Sequence, residues 1–248
     1  MRRMDGSEVN RVALVSGGSR GIGAAVTSGL AERGCRVGCT YRTGFAEAEK
    51  LAVRHPEQVV PVRFDLSDPE TATTAVNDVV SRWGRLDSLI LNAGQWAGGR
   101  LTGTSPDSWW RVIDSNLRGT VDLARAALPY LATSPAPSIV LVSSVVGLIG
   151  HAGDTAYAAA KSAMVGFGRS LAKEVARDGI RVNILAPGFV TTDMTDAVPL
   201  SSRKRIEDAT ILGRFGTVDE MAKAAIFLSE DATFCTGSVL TADGGWAL

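Results

Sequence analysis

The chain of 248 residues is 45% hydrophobic and 21% charged, a globular composition with enough length to bury a large core. Its 26 Lys and Arg residues balance its 26 Asp and Glu residues, so charge favours neither nucleic acid nor a membrane surface as a partner. The polar first ten residues do not resemble a signal peptide, and no apolar run approaches the roughly 18 residues of a membrane span. We therefore expect a cytoplasmic protein with no membrane partner.

Short β-rich runs alternate along the chain with longer helical patterns. Strands are predicted at 11–16, 35–41, 59–65, 86–92, 138–144, 180–187 and 237–243. Helices are predicted at 21–33, 45–54, 68–83, 105–131, 155–178 and 217–229. This alternation implies right-handed crossovers and a parallel sheet with helices on both faces. No linker interrupts it, so we expect a flexible tail over 1–10 and one dinucleotide-binding catalytic domain over 11–248.

Two groups of residues say little about the function of the chain. The segment 189–213 is the least regular part of the chain, and both a mobile lid over a ligand and an ordinary connection with a short helix fit it. The three cysteines and two histidines, including His151, have no metal-ligand spacing, so we expect no metal site and interpret them as structural or incidental.

A glycine-rich turn follows the first predicted strand and precedes the first predicted helix. Gly17, Gly21 and Gly23 permit a tight turn and close backbone approach, and the helix start offers free N–H groups to a pyrophosphate. An acidic residue usually holds the ribose of NAD near the end of the second strand, but none occurs from Gly34 through Ala46. Tyr41 and Arg42 lie there instead, and with Arg20 they favour the 2′-phosphate of NADP(H) over NAD(H).

Tyr157 and Lys161 stand four residues apart in a predicted helix, so both side chains lie on one helix face. A free phenol has a pKa near 10, and a nearby ammonium favours the phenolate. The spacing therefore predicts that Lys161 lowers the pKa of Tyr157 and makes the pair an acid/base unit.

Taken together, the motifs resemble those of the short-chain dehydrogenase/reductase family. The matching stretches are "SGGSRGIG", "LNAG" with Leu91 in place of the first Asn, "SNLRG", "VSSVVG", "YAAAK" and "PGFVTTDM". The resemblance runs from about residue 11 to the C-terminus. It implies an α/β, Rossmann-type doubly wound sheet of seven parallel strands in the order 3-2-1-4-5-6-7.

The resemblance also implies roles for individual residues. The catalytic set is Asn116, Ser144, Tyr157 and Lys161, with Tyr157 as proton donor, Ser144 as hydrogen-bond donor to the carbonyl and Asn116 as holder of a relay water. The cofactor-binding set is Gly17, Ser19, Arg20, Gly21, Ile22, Gly23, Tyr41, Arg42, Asp65, Leu66, Asn92, Ala93, Gly94, Tyr157, Lys161, Pro187, Gly188, Val190 and Thr192. Trp96 joins Ser144 and Tyr157 in the expected substrate pocket, either stacking on a substrate or packing.

The expected reaction is NADPH-dependent reduction of a ketone to a secondary alcohol. The C-terminal third is most similar to 3-oxoacyl-[acyl-carrier-protein] reductases and polyketide ketoreductases, which implies an acyl carrier protein as partner. Basic residues at 203–205 and Arg177 suit an acidic carrier, but the connection 131–138 has none. A small alcohol, sugar or polycyclic ketone, and a non-catalytic NADP(H) sensor or scaffold, remain alternatives. The resemblance implies a homotetramer built on helices 105–131 and 155–178 and on the C-terminal end.

Overall fold

The computed structural model describes residues 11–196 and 198–248. The predicted flexible tail over 1–10 lies outside the described residues. The domain prediction for 11–248 stays a prediction.

Seven strands form one sheet in the order β3-β2-β1-β4-β5-β6-β7, and every neighbouring pair is parallel. The strands are β1 Val12–Val15, β2 Arg36–Tyr41, β3 Val59–Arg63, β4 Ser88–Leu91, β5 Ser138–Val142, β6 Arg181–Pro187 and β7 Val239–Ala242. This is the Rossmann-type doubly wound topology, so the predicted fold class is confirmed.

Helices connect the strands and cover both faces of the sheet. They are α1 Gly21–Glu32, α2 Phe45–Arg54, α3 Pro69–Trp83, α4 Pro106–Ile113, α5 Gly119–Leu131, α6 Val146–Ile149, α7 Thr155–Glu174, α8 Asp193–Asp196, α9 Leu200–Ala209 and α10 Val218–Ile226. Within the described ranges, no helix is both long and apolar enough to cross a membrane.

Local sequence explains where several helices begin. Asp68 accepts a hydrogen bond from the Glu70 amide at 3.1 Å, and Pro69 occupies the first position of α3. Thr217 and Glu220 form a reciprocal capping box at the start of α10. By contrast, no side chain caps the start of α1, which leaves its first amides without a side-chain partner.

The structure differs from the prediction in two connections. The helix expected over 105–131 is interrupted by the π-helical turn Asp114–Arg118, a local widening that periodicity does not reveal. The irregular segment 189–213 contains the short helices α8 and α9.

Two hydrophobic clusters enclose the sheet. Alternate residues of each strand point to opposite faces, so Leu14 packs under α3, α5 and α7 whereas Val15 packs under α1, α2 and α10. β1, β4 and β5 are buried along their whole length. Polar chemistry is therefore confined to the ends of the central strands.

Candidate active site

A cleft of about 590 Å³ runs along the carboxyl ends of the parallel strands. We call it the strand-end cleft. It is lined by the residues that follow β1 to β6, because parallel strands all deliver their carboxyl ends to one edge. That edge holds nearly all of the predicted site.

The glycine-rich turn forms one end of this cleft. Gly17 and Gly21 adopt φ values of +62° and +54°, which favour glycine. A Cβ on Gly17 would lie 3.0 Å from the Cα of Ala93, so the turn packs directly on the residues after β4. A Cβ on Gly23 would lie 2.1 Å from the Gly17 carbonyl oxygen. Gly23 thus permits the turn itself.

Nearly every predicted cofactor residue lines the strand-end cleft. The lining includes Gly17, Ser19, Arg20, Gly21, Ile22, Tyr41, Arg42, Asp65, Leu66, Asn92, Ala93, Gly94, Tyr157, Lys161, Pro187, Gly188, Val190 and Thr192. Gly23 differs from the prediction, because it is buried behind the turn and does not line the cleft.

The walls suit the dinucleotide predicted from the sequence. Gly21 presents no Cβ to the cleft, and the nearest neighbour such an atom would meet is Thr192, at 3.6 Å. The uncapped start of α1 directs free amides to the same place. Arg20 and Arg42 are exposed at this end of the cleft. A hydrogen bond from the Ser67 amide lowers the pKa of Asp65, and Arg42 acts in the same direction, so the carboxylate is charged at neutral pH.

Lys161 lies at the other end of the strand-end cleft. Its residue is only 3% exposed, and its Nζ donates to the Val142 carbonyl at the end of β5 over 2.9 Å. Nζ also lies 5.6 Å from the ring centroid of Tyr157. Burial lowers the pKa of Lys161 to about 8, because a desolvated ammonium is costly.

The prediction about the Tyr157 pKa is wrong for this arrangement. Burial raises the pKa of Tyr157 to about 12, a hydrogen bond with Ser144 opposes that rise, and the charge of Asp154 adds to it. The Lys161 ammonium bonds to Val142 and lies over the Tyr157 ring, and burial of the phenol outweighs the opposing effects on its pKa. Tyr157 is therefore a protonated phenol at neutral pH.

Asn116 is the member of the expected catalytic set that lies behind the strand-end cleft. It is fully buried in the π-helical turn and does not line the strand-end cleft. Its Oδ1 accepts from the Gln95 amide at 3.1 Å, and its Nδ2 donates to the carbonyls of Gln95 and Val112 at 2.7 and 2.8 Å. A Cβ on Gly94 would lie 2.6 Å from that Oδ1. The side chain of Asn116 thus positions the loop that follows β4.

A second cavity of about 580 Å³ joins the strand-end cleft, and we call it the aromatic cavity. Both are lined by Trp96, Ser144, Tyr157, Gly188, Met194 and Thr195. The aromatic cavity adds His151, Phe189 and Trp246, and α9 contributes Arg205 and Ile206. Helices α8 and α9 thus form one wall of the cavity. Both interpretations of segment 189–213, a mobile lid and an ordinary connection, fit this position.

Sequence reasoning missed several lining residues of the aromatic cavity. His151 was interpreted as structural or incidental, yet its ring lines the cavity. Asp154 accepts from the Trp96 Nε1 at 2.8 Å across 58 sequence positions. No local pattern signals a contact of that range. The sequence signal for them is the closeness of His151 and Asp154 to Tyr157.

The depressed pKa of Lys161 predicts a pH-dependent stability. Between about pH 8 and 10.5 the unfolded chain binds the Lys161 proton more tightly than the folded chain. The Lys161 contribution to the free energy of unfolding should therefore rise with pH across that window, by at most about 1.4 kcal/mol per pH unit, whereas burial raises the pKa of Cys35 to about 11 and of Cys39 to about 12, so these thiols contribute in the opposite direction. Urea denaturation of wild type and Lys161→Met at pH 8, 9 and 10 measures this rise. The difference in unfolding free energy between wild type and Lys161→Met should grow in favour of wild type as pH rises, and Lys173→Met, which changes an exposed lysine of the same helix, should keep the wild-type profile. Parallel pH profiles for wild type and Lys161→Met would contradict the assignment.

Comparisons with known proteins agree with this geometry. A family model described as enoyl-(acyl carrier protein) reductase matches residues 17–247. The 3-oxoacyl-[acyl-carrier-protein] reductase FabG of Chlamydia trachomatis is 37% identical over 98% of this chain and 100% of its own length. The proteins of the same name from Thermotoga maritima and Salmonella typhimurium are 37% and 35% identical, over 95% of this chain and 97% and 96% of their own lengths. The resemblance drawn from the sequence is confirmed, and the chain belongs to the short-chain dehydrogenase/reductase family of nicotinamide-dependent oxidoreductases.

Proposed function

We propose that this chain reduces a ketone to a secondary alcohol with NADPH, and that a 3-oxoacyl thioester is its substrate type. One observation carries the proposal. Ser144 and Tyr157 line both the strand-end cleft and the aromatic cavity, and Lys161 lies beside them. A carbonyl group at that junction would meet a hydroxyl donor, a phenol and a cofactor at once.

The cofactor belongs in the strand-end cleft. The glycine turn and the start of α1 would hold its diphosphate, and Pro187, Gly188 and Thr192 would lie against its nicotinamide. When bound, NADPH supplies the hydride that reduces the carbonyl carbon. The residues of the chain must then supply a proton and hold the oxygen in place.

Tyr157 suits the role of proton donor because its raised pKa keeps the phenol protonated at neutral pH. The Ser144 hydroxyl would donate a hydrogen bond to the carbonyl oxygen and stabilise the negative charge that develops there. Ser144 Oγ already accepts from the Val146 amide at 3.2 Å, and this contact fixes its rotamer. Lys161, anchored on Val142, would hold the ribose of the cofactor and stabilise a phenolate after proton transfer.

The preference for NADPH over NADH rests on Arg20 and Arg42. Both are exposed and line the end of the strand-end cleft near Tyr41. Guanidinium groups bind a phosphate in forked geometry, whereas a bare ribose offers them only neutral hydroxyl groups.

The carrier-protein part of the proposal rests on the relatives and not on surface charge. The relatives are named for acyl-carrier-protein substrates, but the predicted basic run is largely neutralised. Arg203 pairs with Asp196 at 3.1 Å, and Lys204 pairs with Asp208 at 2.6 Å. Arg205 lines the aromatic cavity and would meet an anionic arm of a thioester. A polycyclic or other small ketone is the second candidate, favoured by the aromatic lining.

We also propose a cytoplasmic homotetramer. Cys35, Cys39 and Cys235 form no disulfide with one another, which fits a reducing compartment. Trp110 on α4 is 61% exposed and Ile149 is 51% exposed, so large apolar side chains face outward near the helices expected at the interface.

Replacing Tyr157 by Phe tests the reaction. The ring and its packing survive, but the transferable proton is lost, so kcat should fall by roughly 100-fold or more. NADPH oxidation with ethyl acetoacetate measures turnover, and nicotinamide fluorescence measures NADPH binding, which should stay unchanged. Near-normal turnover in Tyr157→Phe would overturn the proposal. A wild type that binds NADPH but turns over no carbonyl compound would favour a sensor.

Replacing Arg42 or Arg20 by Ala tests the cofactor preference. Each loss of a charge-assisted hydrogen bond should raise the Kd for NADPH about 10-fold or more and leave the Kd for NADH nearly unchanged. Nicotinamide fluorescence titrations at one fixed salt concentration measure both constants. Arg63→Ala is the matched control, because Arg63 is an exposed residue of β3 outside the cleft lining. Equal losses for NADPH and NADH would refute the preference.

The oligomeric state is tested by size-exclusion chromatography with light scattering. We expect a species of four times the 26.0 kDa chain mass. Burial of the exposed apolar side chains provides the driving force. A stable monomer at micromolar concentration would rule out the tetramer.

A further inference from the structure

Asp154 occupies the position just before α7 but does not cap that helix. An aspartate there normally accepts hydrogen bonds from the first free amides of the helix. Here no side-chain cap bond forms. The carboxylate instead accepts from the Trp96 Nε1 at 2.8 Å and bonds to the His151 Nδ1 at 2.9 Å. Asp154 is 8% exposed, so both contacts are largely shielded from water.

The tethered Trp96 stands where the substrate must pass. It lies in the irregular loop after β4 and lines both the strand-end cleft and the aromatic cavity. The side chain is nevertheless 45% exposed, so core packing does not hold it. Its ring rests on the loop backbone, since a Cβ on Gly98 would lie 2.6 Å from the indole Cζ2. The bond to Asp154 is the polar contact that fixes its orientation.

Three more aromatic rings line the same cavity. The ring centroids of Phe189 and Trp246 lie 5.1 Å apart, and His151 lies 6.0 Å from Trp246 and 6.4 Å from Phe189. With Trp96 they give the aromatic cavity several ring faces and edges beside Ser144 and Tyr157. Such walls favour a flat ring over a flexible aliphatic chain, because ring pairs adopt offset or edge-to-face contacts.

We propose that Asp154 is a positioning residue that holds Trp96 as the specificity-determining wall of the aromatic cavity, and that the preferred ketones carry an aromatic ring beside the carbonyl group. This inference rests on the proposed ketone reduction. It goes beyond that reduction, because it assigns the substrate's side group and the residues that select it.

Two β-keto esters that differ only in this group test the inference. Ethyl benzoylacetate carries a phenyl group where ethyl acetoacetate carries a methyl group. With wild type and NADPH, we expect a lower KM for the benzoyl ester. In Asp154→Ala the KM for the benzoyl ester should rise about 10-fold, as expected for loss of a hydrogen bond to a charged group. The ratio of the two kcat values should stay unchanged, because any effect of the lost charge on the pKa of Tyr157 acts on both esters alike. The KM for the acetyl ester should barely move.

The variants separate the hydrogen bond from the charge. Asp154→Asn removes the charge but keeps an oxygen that accepts from Trp96, so it should restore a KM close to wild type. Trp96→Phe keeps a ring but loses the N–H, and should resemble Asp154→Ala. The double variant should be no worse than either single variant, because both remove one interaction. Trp83→Phe is the matched control, since Trp83 ends α3 outside both cavities.

Several outcomes would overturn the inference. These are equal KM increases for both esters, an Asp154→Asn variant as impaired as Asp154→Ala, or additive effects of Asp154→Ala and Trp96→Phe. A wild type that reduces neither ester would overturn the proposed function instead. Ligand-detected NMR then decides the inference separately. Preferred binding of the benzoyl ester, lost in Asp154→Ala and kept in Asp154→Asn, supports it, and equal binding of both esters refutes it.

Discussion

The structure depends on one constraint, the burial of a parallel sheet on both of its faces. Central strands covered by helices on each side are mainly apolar, and β1, β4 and β5 are buried throughout. Their polar exceptions, Ser88 and Ser138, stand at the strand starts and hydrogen-bond to each other at 3.1 Å. Groups that must meet a ligand are therefore excluded from the strands and collect just beyond their carboxyl ends. The parallel direction brings those ends to one edge. The glycine turn after β1, Asn92 after β4 and Ser144 after β5 are neighbours for this reason, although 127 sequence positions separate Gly17 from Ser144.

Lys161 is a charged side chain that is buried although this constraint excludes most charged groups from the interior. An ammonium that is 3% exposed is costly, and the Val142 carbonyl at the end of β5 offsets part of that cost. Tyr157 and Lys161 thus have different roles before a ligand binds. Tyr157 keeps its proton, which ketone reduction consumes, while Lys161 remains close enough to stabilise a phenolate once that proton has left.

Features with a local origin were predictable from the sequence, and features made by distant contacts were not. Apolar runs and glycine positions predicted the seven strands and the turn at Gly17, since strand burial and positive φ are properties of short segments. The break at Asp114–Arg118 escaped prediction because a π-helical turn is defined by its backbone hydrogen bonds, which the residue types do not specify. Asn116 was identified by its motif, but its bonds to Gln95 depend on packing between α4 and the loop after β4. The pKa of Tyr157 was predicted in the wrong direction. The four-residue spacing predicts that Lys161 is a neighbour of Tyr157, but it does not predict how deeply the phenol is buried.

The two cavities differ in how they are built, and that difference bears on specificity. The strand-end cleft is formed by short turns fixed directly to buried strands, so its shape follows from the sheet. The aromatic cavity is formed by the loop holding Trp96, by α8 and α9, and by the C-terminal Trp246. Substitutions in these segments need not disturb a strand. Substrate specificity can therefore change while the catalytic residues keep their positions. Asp154 connects the two, because it bonds to the wall residue Trp96 and stands three residues before Tyr157 on the same helix start. The charge of Asp154 also raises the pKa of Tyr157, so the residue that holds Trp96 acts on the proton donor as well.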